Sequence, residues 1–259
     1  MIFKSRLALC AVMSVALTFN HAFAAPPKPP PAPPPRIAPL ADKLLTNACQ
    51  MLSSAQAFSF HAEINFDQVL QSGVKLQFAG AMDFGTQRPG ELAVYYQSDL
   101  GAKQLWFQNG ALTIFDPPHM VYATVAGPPT IDGMLEQAAA HNNLTIPLSD
   151  FAYSDPCQKI RKQIIFGAYV GVNDVNGVAC DHLAFSSDKL DLQLWLQHSG
   201  KPLPRKLVID YRTDPGSPEY AAVLSDWKFP STIPASMFRP RLPKSARHID
   251  ILKVKEAKP

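Results

Sequence analysis

Short segments in which apolar and polar residues alternate fill most of the chain, and this period of two restricts the fold more than any other feature. The alternation begins in "FSFHAEINFDQVL" and resumes in "VKLQFAGAMDFG", with only "QSG" between them. Similar segments continue to about residue 126 and again from about residue 165 to 250. Successive side chains of a strand point to opposite faces, so the pattern predicts roughly twelve β-strands joined mainly by hairpins.

Helical periodicity replaces the alternation in three places. In "PLADKLLTNACQMLSSAQAF" apolar residues recur every three or four positions, which predicts an amphipathic helix over residues 39–56. "TIDGMLEQAAAHNN" predicts a second helix with Thr130 or Asp132 as its N-cap. "LSDFAYSDPCQKIRK" predicts a third, short helical segment. The fold class is therefore predicted to be mainly β with a few helices.

A sheet of this width must curl, because the twist between neighbouring strands accumulates. It either closes into a barrel or stays half open with helices over one face. Leu105 and Phe107 alternate with Trp106, and Leu194 precedes Trp195, so both faces of these strands carry large apolar side chains. Exposure of such large apolar side chains to water is unfavourable, so both faces of these strands are expected to be covered. We therefore expect an antiparallel sheet curled around an apolar interior, with the helices packed against part of it.

The first 24 residues have the layout of a secretory signal peptide. Lys4 and Arg6 precede an apolar run of 13 residues, and Ala22 and Ala24 are the small residues expected before a cleavage site. The run is shorter than the roughly 20 residues that cross a bilayer. Cleavage after Ala24 and export to the periplasm are expected, with a retained anchor as the alternative.

Residues 25–39 contain nine prolines and predict an extended, semi-rigid linker. A ligand for a proline-binding partner is the alternative for this segment. Residues 40–259 are expected to form a single β domain, since a chain of this length can bury one sizeable core.

The charge balance gives no support to nucleic-acid binding, because removal of the leader leaves a formal charge of only +1. The charge is uneven, with eight basic and two acidic residues from Lys228 onward. Such a tail could make a peripheral contact with anionic membrane headgroups, although a solvated tail is the simpler interpretation.

Three cysteines remain after removal of the leader, and an oxidising compartment favours one disulfide. Cys157–Cys180 is the preferred pair, since both residues flank one hairpin region, and Cys49 is then free. Cys180 and His182 share a strand face and could begin a zinc site, but no second pair with ligand spacing accompanies them. No metal or other cofactor is expected.

No familiar catalytic motif occurs in the chain. "CDH" at residues 180–182 is the one tight cluster of nucleophile, acid and base types. Adjacent strand residues point to opposite faces, so Asp181 is not expected to orient His182. The protein is therefore expected not to be an enzyme, and a hydrolase with an unrecognised site is a less favoured alternative.

Two groups of residues resemble known families. "TQRPGELAVYY" and "KQLWFQNGALTIFDP" resemble a strand and a hairpin of the LolA-type lipoprotein carriers. "PLSDFAYSDP", "AYVGVNDVNGVACDHLAF", "DLQLWLQHSGKPLPRKLVIDY" and "PEYAAVLSDWKF" resemble successive blocks of DUF2092, a family of predicted periplasmic proteins within the LolA/LolB-like superfamily. The second resemblance covers about residues 40–251. It implies a strongly curved, half-open antiparallel barrel with helices covering the concave face.

The resemblance to the carriers also implies a role for Arg88, whose counterpart helps to hold a lid closed and matters for release of cargo. Gly90 and Ala93 depart from the carrier pattern, so Arg88 is the one polar residue transferred.

These observations together predict a periplasmic binding or carrier protein for a hydrophobic ligand, such as a lipid or the acyl chain of a lipoprotein. Burial of such a chain gains about 0.8 kcal/mol per CH₂. The residues expected to line the cavity are Phe66, Phe78, Phe84, Tyr96, Trp106, Phe107, Leu135, Leu194 and Trp195. Because a packed core has the same sequence pattern, the alternative is an envelope interaction or assembly module with a filled core and an envelope protein partner.

Overall fold

The structure is a computed structural model that describes residues 36–251. The predicted leader and most of the proline-rich linker lie outside the described residues, as does the end of the basic tail. Among the described residues, no helix is both long enough and apolar enough to cross a membrane.

Twelve strands and three α-helices make up the described part of the chain. The helices are α1 (Pro39–Ser54), α2 (Ile131–Asn142) and α3 (Gln158–Gln163). The first six strands are β1 (Ala57–Val69), β2 (Lys75–Gln87), β3 (Glu91–Ser98), β4 (Gly101–Gln108), β5 (Ala111–Asp116) and β6 (Val121–Ala126). The others are β7 (Phe166–Val175), β8 (Val178–Ser186), β9 (Asp191–Gln197), β10 (Pro204–Asp210), β11 (Glu219–Lys228) and β12 (Arg247–His248).

All twelve strands form one curved, open sheet in the order β12-β6-β5-β4-β3-β2-β1-β11-β10-β9-β8-β7. Neighbouring strands are antiparallel except for β12, which pairs with β6 in parallel over two residues. The pairing of β1 with β11 joins the two runs of hairpins that the sequence predicts. The predicted fold class is confirmed.

Local sequence explains the hairpins and the helices. Asn109-Gly110 and Asn176-Gly177 adopt positive φ angles at two-residue turns, a conformation that these residues tolerate. The Thr130 side chain accepts a hydrogen bond from the Gly133 amide and caps α2, as predicted. The third helical region is divided into a 3₁₀ turn (Ser149–Ala152) and α3.

The two faces of the sheet have different coverings. The inner face, which includes Phe60, Phe84 and Leu194, shares one hydrophobic core with α1 and α2. The outer face carries Trp106, whose side chain is fully buried. Trp106 packs against Phe238 of the C-terminal segment, which we define as residues 229–251. The C-terminal segment therefore protects the apolar outer face of the β3–β5 region from water.

The expectation that Trp106 and Trp195 line the interior is wrong. Because strand side chains alternate, Leu105 and Leu194 occupy the inner face and their tryptophan neighbours occupy the outer face. The Trp195 ring stacks on the His182 ring at 4.0 Å between centroids, and the Lys206 ammonium lies 4.8 Å from the Trp195 centroid.

Candidate functional site

A cavity of about 640 Å³ lies between α1, strands β8 to β11 and the cover segment, which we define as residues 145–164. This volume falls within the range of about 300–1,000 Å³ that is usual for small-molecule sites. The cavity therefore has room for a ligand, in contrast to a fully packed core.

The other half of the inner face is filled by aromatic rings. Phe60 lies 4.8 Å from Phe84 and 4.6 Å from Trp227, measured between ring centroids. Ile131 and Met134 of α2 belong to the same core and are almost completely buried. Large rings on β1, β2 and β11 thus close one half of the curve, whereas aliphatic side chains on β9 and β10 leave the other half open.

Most of the cavity wall is aliphatic. Leu45 and Leu52 project from α1, Leu194 from β9, and Leu207 and Ile209 from β10. The cover segment adds further apolar side chains, namely Ile146, Leu148, Phe151, Ile160 and Ile164. Such a wall offers dispersion contacts and few hydrogen bonds, which suits an alkyl chain.

One end of the cavity is more polar. Ser186, Tyr211 and Tyr220 line it where β8 and β10 end and β11 begins. The Tyr220 hydroxyl is buried and has no hydrogen-bond partner within the described residues. Burial raises the pKa of Tyr220 above its ordinary value, and Tyr96 and Tyr211 add to the shift. Tyr220 is therefore a neutral donor at the polar end of the cavity.

A disulfide between Cys49 and Cys157 fastens the cover segment to α1, and both residues line the cavity. The expected Cys157–Cys180 pair is wrong. Cys180 is a free, buried thiol on the outer face of β8 beside Trp195, whereas Cys157 lies on the inner side of the sheet. The sheet itself thus separates Cys157 from Cys180.

An ion pair reinforces the disulfide. The Arg161 guanidinium of α3 donates to an Asp42 carboxylate oxygen of α1 at 2.5 Å, and it also donates to the Thr46 hydroxyl. The cover segment is therefore fixed to α1 at two places, one covalent and one ionic.

Arg88 holds the opposite end of α1. It directly follows β2, and its guanidinium donates to the carbonyl oxygens of Leu52 at 3.0 Å, of Ala55, and of Tyr153 at 2.9 Å. Its guanidinium carbon also lies 5.5 Å from the centroid of the Phe58 ring. Arg88 thus joins the sheet, the end of α1 and the cover segment.

The protonation of Arg88 fits this role. Burial lowers the pKa of Arg88 from its ordinary value, and the nearby Asp132 carboxylate opposes the shift. Because an arginine titrates so far above neutrality, the side chain remains a cation and keeps its donors. Its Nε has no partner within the described residues, so the hydrogen-bonding capacity of Arg88 is not fully used.

The family model for predicted periplasmic proteins designated DUF2092 matches residues 41–252. The chain belongs to the DUF2092 family. This assignment confirms the resemblance found in the sequence and the periplasmic location, which is the one described for the family.

Solved structures with similarity to this DUF2092 protein include two from mycobacteria. LprF from Mycobacterium bovis has 14% identity, a TM-score of 0.48, and coverage of 77% of this chain and 98% of the other. The lipoprotein LppX from Mycobacterium tuberculosis has 11% identity, a TM-score of 0.48, and coverage of 74% and 97%. A LolA superfamily protein from Nitrosomonas europaea has 10% identity, a TM-score of 0.39, and coverage of 77% and 97%. A comparison with curated protein sequences found no match.

Apart from Trp106 and Trp195, the predicted lining residues of the DUF2092 protein lie on the inner face and are divided between its two halves. Leu194 lies on the cavity wall. Phe84, Phe107 and Leu135 lie in the filled part of the core, and Phe66 and Tyr96 pack against it as partly buried side chains. Phe78 is partly buried and contacts Phe66, with 5.9 Å between ring centroids. Contact of any of these residues with a ligand stays a prediction.

Sequence reasoning missed the contribution of the cover segment and of Tyr220. The apolar stretch "NLTIPL" at residues 143–148 was a usable signal, because an irregular segment rich in large apolar residues needs a surface to cover. Tyr220 gave no such signal, since its missing partner is a property of the folded structure alone.

The polar cluster in "CDH" is divided as predicted. Asp181 points to the inner side, where it accepts hydrogen bonds from the Tyr169 hydroxyl at 3.1 Å and from His198 at 2.9 Å. His182 points to the outer side and contacts the side chains of Asn173 and Gln193. The described residues contain no group of three or more His, Cys, Asp or Glu side chains placed to hold a metal ion.

Proposed function

We propose that this DUF2092 protein binds a hydrophobic ligand, a lipid or the acyl chain of a lipoprotein, and carries it in the periplasm. The observation that supports this function is the aliphatic cavity of about 640 Å³ beneath α1 and the cover segment. Each CH₂ group transferred from water into such a space gains about 0.8 kcal/mol, so burial of the alkyl chain alone can supply the free energy of binding.

The ligand is oriented by the polar end of the cavity. A buried hydroxyl without a partner costs about 1–3 kcal/mol, and an acceptor on the ligand would remove that cost. The ester or amide carbonyl of an acylated molecule is such an acceptor. We therefore place the carbonyl beside Tyr220 and the alkyl chain along Leu194 and Leu207.

Arg88 opposes opening of the cover. Movement of the cover segment away from the sheet would break the hydrogen bond from Arg88 to Tyr153, and movement of α1 away from the sheet would break those to Leu52 and Ala55. These bonds stabilise the closed, empty state relative to any loaded state in which the cover has moved. Arg88 thus favours release of the ligand, in agreement with the role implied by the resemblance to the carriers.

The proposal is tested on protein purified gently from the periplasm. Native mass spectrometry and solvent extraction should detect a bound acyl species, and a fluorescent fatty-acyl probe should titrate to saturation after delipidation. Leu194→Asp places a charge in the cavity wall and should weaken probe binding at least tenfold, because an unpaired charge in an apolar site is costly.

Val172→Asp is the matched control, since Val172 is half exposed on β7 and lies outside the cavity. It should bind the probe like the wild type. Absence of both co-purified lipid and probe binding would sink the carrier function. That outcome would favour the alternative of an envelope interaction module.

A further inference from the structure

Exposed apolar side chains gather at one end of the sheet. The described residues include ten large hydrophobic side chains that are exposed, and six of them lie at this end. We call these six the apolar rim: Leu70, Val74, Leu76, Leu100, Ile165 and Phe166. Single exposed apolar residues are ordinary, but a concentration at one end of a fold marks a contact surface.

The antiparallel order places the rim residues at a common end. β1 ends and β2 begins there. Leu70 and Val74 lie in the connection, and Leu76 is the second residue of β2. β3 ends and β4 begins at the same end, with Leu100 between them. β7 also begins there, at Phe166.

The β1–β2 hairpin projects beyond its neighbours. β1 pairs with β11 only as far as Phe66, and β2 pairs with β3 only from Gly80 onward. Beyond these points β1 and β2 pair with each other alone, so Leu70, Val74 and Leu76 lie on a two-stranded projection.

Polar contacts support this projection at its base, at Ala79, and close to its turn, at Lys75. The Asp99 side chain accepts a hydrogen bond from the Ala79 amide at 2.7 Å, and Lys75 donates to the Ser217 carbonyl at 2.8 Å. The hairpin that carries the exposed Leu70 and Leu76 is thus tied to neighbouring segments of the chain.

The charged side chains near the rim include three ion pairs and several exposed acidic residues, namely Asp188, Asp214 and Glu219. Lys75 lies 3.4 Å from Asp67, Lys103 lies 2.6 Å from Asp116, and Arg212 forms an ion pair with Asp191. The rim therefore lacks the excess of positive charge that attracts anionic lipids or nucleic acid. Its attraction must come from apolar area.

We propose that the apolar rim docks the protein on a lipid bilayer, with the tips of the β1–β2 and β3–β4 hairpins inserted at the boundary between headgroups and acyl chains. Three separate elements carry the rim at one end of the sheet, and a bilayer offers a broad apolar layer to several of them, whereas a peptide strand would engage one edge. The polar end of the cavity, with Ser186, Tyr211 and Tyr220, lies at the same end of the sheet. Docking does not depend on the proposed ligand, but it would bring the cavity beside the lipids.

The test is flotation of periplasmically purified protein with uncharged phosphatidylcholine vesicles. We expect the wild type to float with the vesicles to the same extent at about 0.05 M and 0.5 M salt, since apolar insertion is not screened. The triple variant Leu70→Ser/Val74→Ser/Leu76→Ser should lose at least about tenfold in its vesicle partition coefficient. These side chains are exposed, so the variant should keep the circular dichroism spectrum and melting temperature of the wild type.

The matched control is Val170→Ser/Val172→Ser. These residues are 55% and 50% exposed, comparable with 45% for Leu70 and 52% for Val74, but they lie in the middle of β7. The control variant should float like the wild type. Equal flotation of the triple variant and the wild type would overturn the proposal. So would binding that needs anionic lipid and disappears at high salt, which would assign the contact to the basic tail. The acyl-probe titration reports separately on the cavity, so failure of docking and failure of ligand binding are distinguishable.

Discussion

The disulfide between Cys49 and Cys157 is expected to supply a large share of the stability of the protein. Its cysteines are 108 residues apart in the sequence. In the chain-entropy account, a cross-link that closes a loop of roughly 100 residues stabilises the folded state by about 4.7 kcal/mol. Measured losses on removal of native disulfides are about 2–5 kcal/mol. We therefore expect Cys49→Ser/Cys157→Ser to lower the free energy of unfolding by about 2–5 kcal/mol.

Denaturant unfolding of the double variant and the wild type measures this difference directly. At about 2–4 °C per kcal/mol for a domain of this size, the melting temperature should fall by roughly 4–20 °C. Cys180→Ala is the control, because Cys180 is a free thiol and its replacement removes only packing in the outer cluster. The Cys49–Cys157 disulfide should remain intact in this control variant.

Thiol counting under denaturing, non-reducing conditions provides the decisive result. The periplasmic wild type should show one reactive thiol, and Cys180→Ala should show none. Two reactive thiols in Cys180→Ala would mean that Cys180 is disulfide-bonded, and the reasoning from the two faces of the sheet would be refuted. A double variant within about 0.5 kcal/mol of the wild type would refute the energetic part of the argument.

Three further predictions concern single side chains. Tyr220→Phe should weaken binding of a carbonyl-bearing acyl probe about fivefold and leave binding of a plain alkyl probe unchanged, as measured by titration, because it removes one hydrogen-bond donor worth about 1 kcal/mol. Arg88→Leu should keep the fold and slow transfer of bound ligand to acceptor vesicles, since it removes the bonds that favour the closed, empty state; an unchanged transfer rate would contradict the proposed role of Arg88 in release. The hydrogen bond from His61 to Asp83 raises the pKa of His61, against a smaller lowering by burial and with further help from Glu63. The hydrogen bond of protonated His61 should therefore stabilise the fold fully below the unfolded pKa of about 6.5, and this effect should be lost as the pH rises through the folded pKa. His61→Gln should consequently flatten the fall in the free energy of unfolding between about pH 6 and 8.

Local patterns in the sequence determined much of the fold. An alternation with a period of two identifies strands, because successive side chains of a strand point to opposite faces. Asn-Gly pairs identify the tight hairpins, because they adopt the positive φ angles that such turns need. The helix of residues 39–56 was predicted within two residues of α1, because its apolar stripe is a local signal. The opposite orientations of Asp181 and His182 follow from the same alternation.

Only the tertiary structure decided which face of each strand became the interior. Where both faces are apolar, as at Leu105 and Trp106, alternation separates the two sets without saying which set meets the helices. The helices and the C-terminal segment cover opposite faces, so Trp106 packs under the C-terminal segment. The partner of Cys157 likewise depends on a contact across 108 residues that no local pattern encodes.

The position of the cavity is also a tertiary property. Filled and empty regions of a curved sheet are lined by the same kinds of side chain, and they differ in how well the opposing surfaces fit. Rings such as Phe60 and Phe84 meet across β1 and β2 and fill their half, whereas Leu194 and Leu207 face a cover segment that a disulfide holds above them. The sequence by itself determined an apolar interior, and the packing of distant segments determined where that interior remains open.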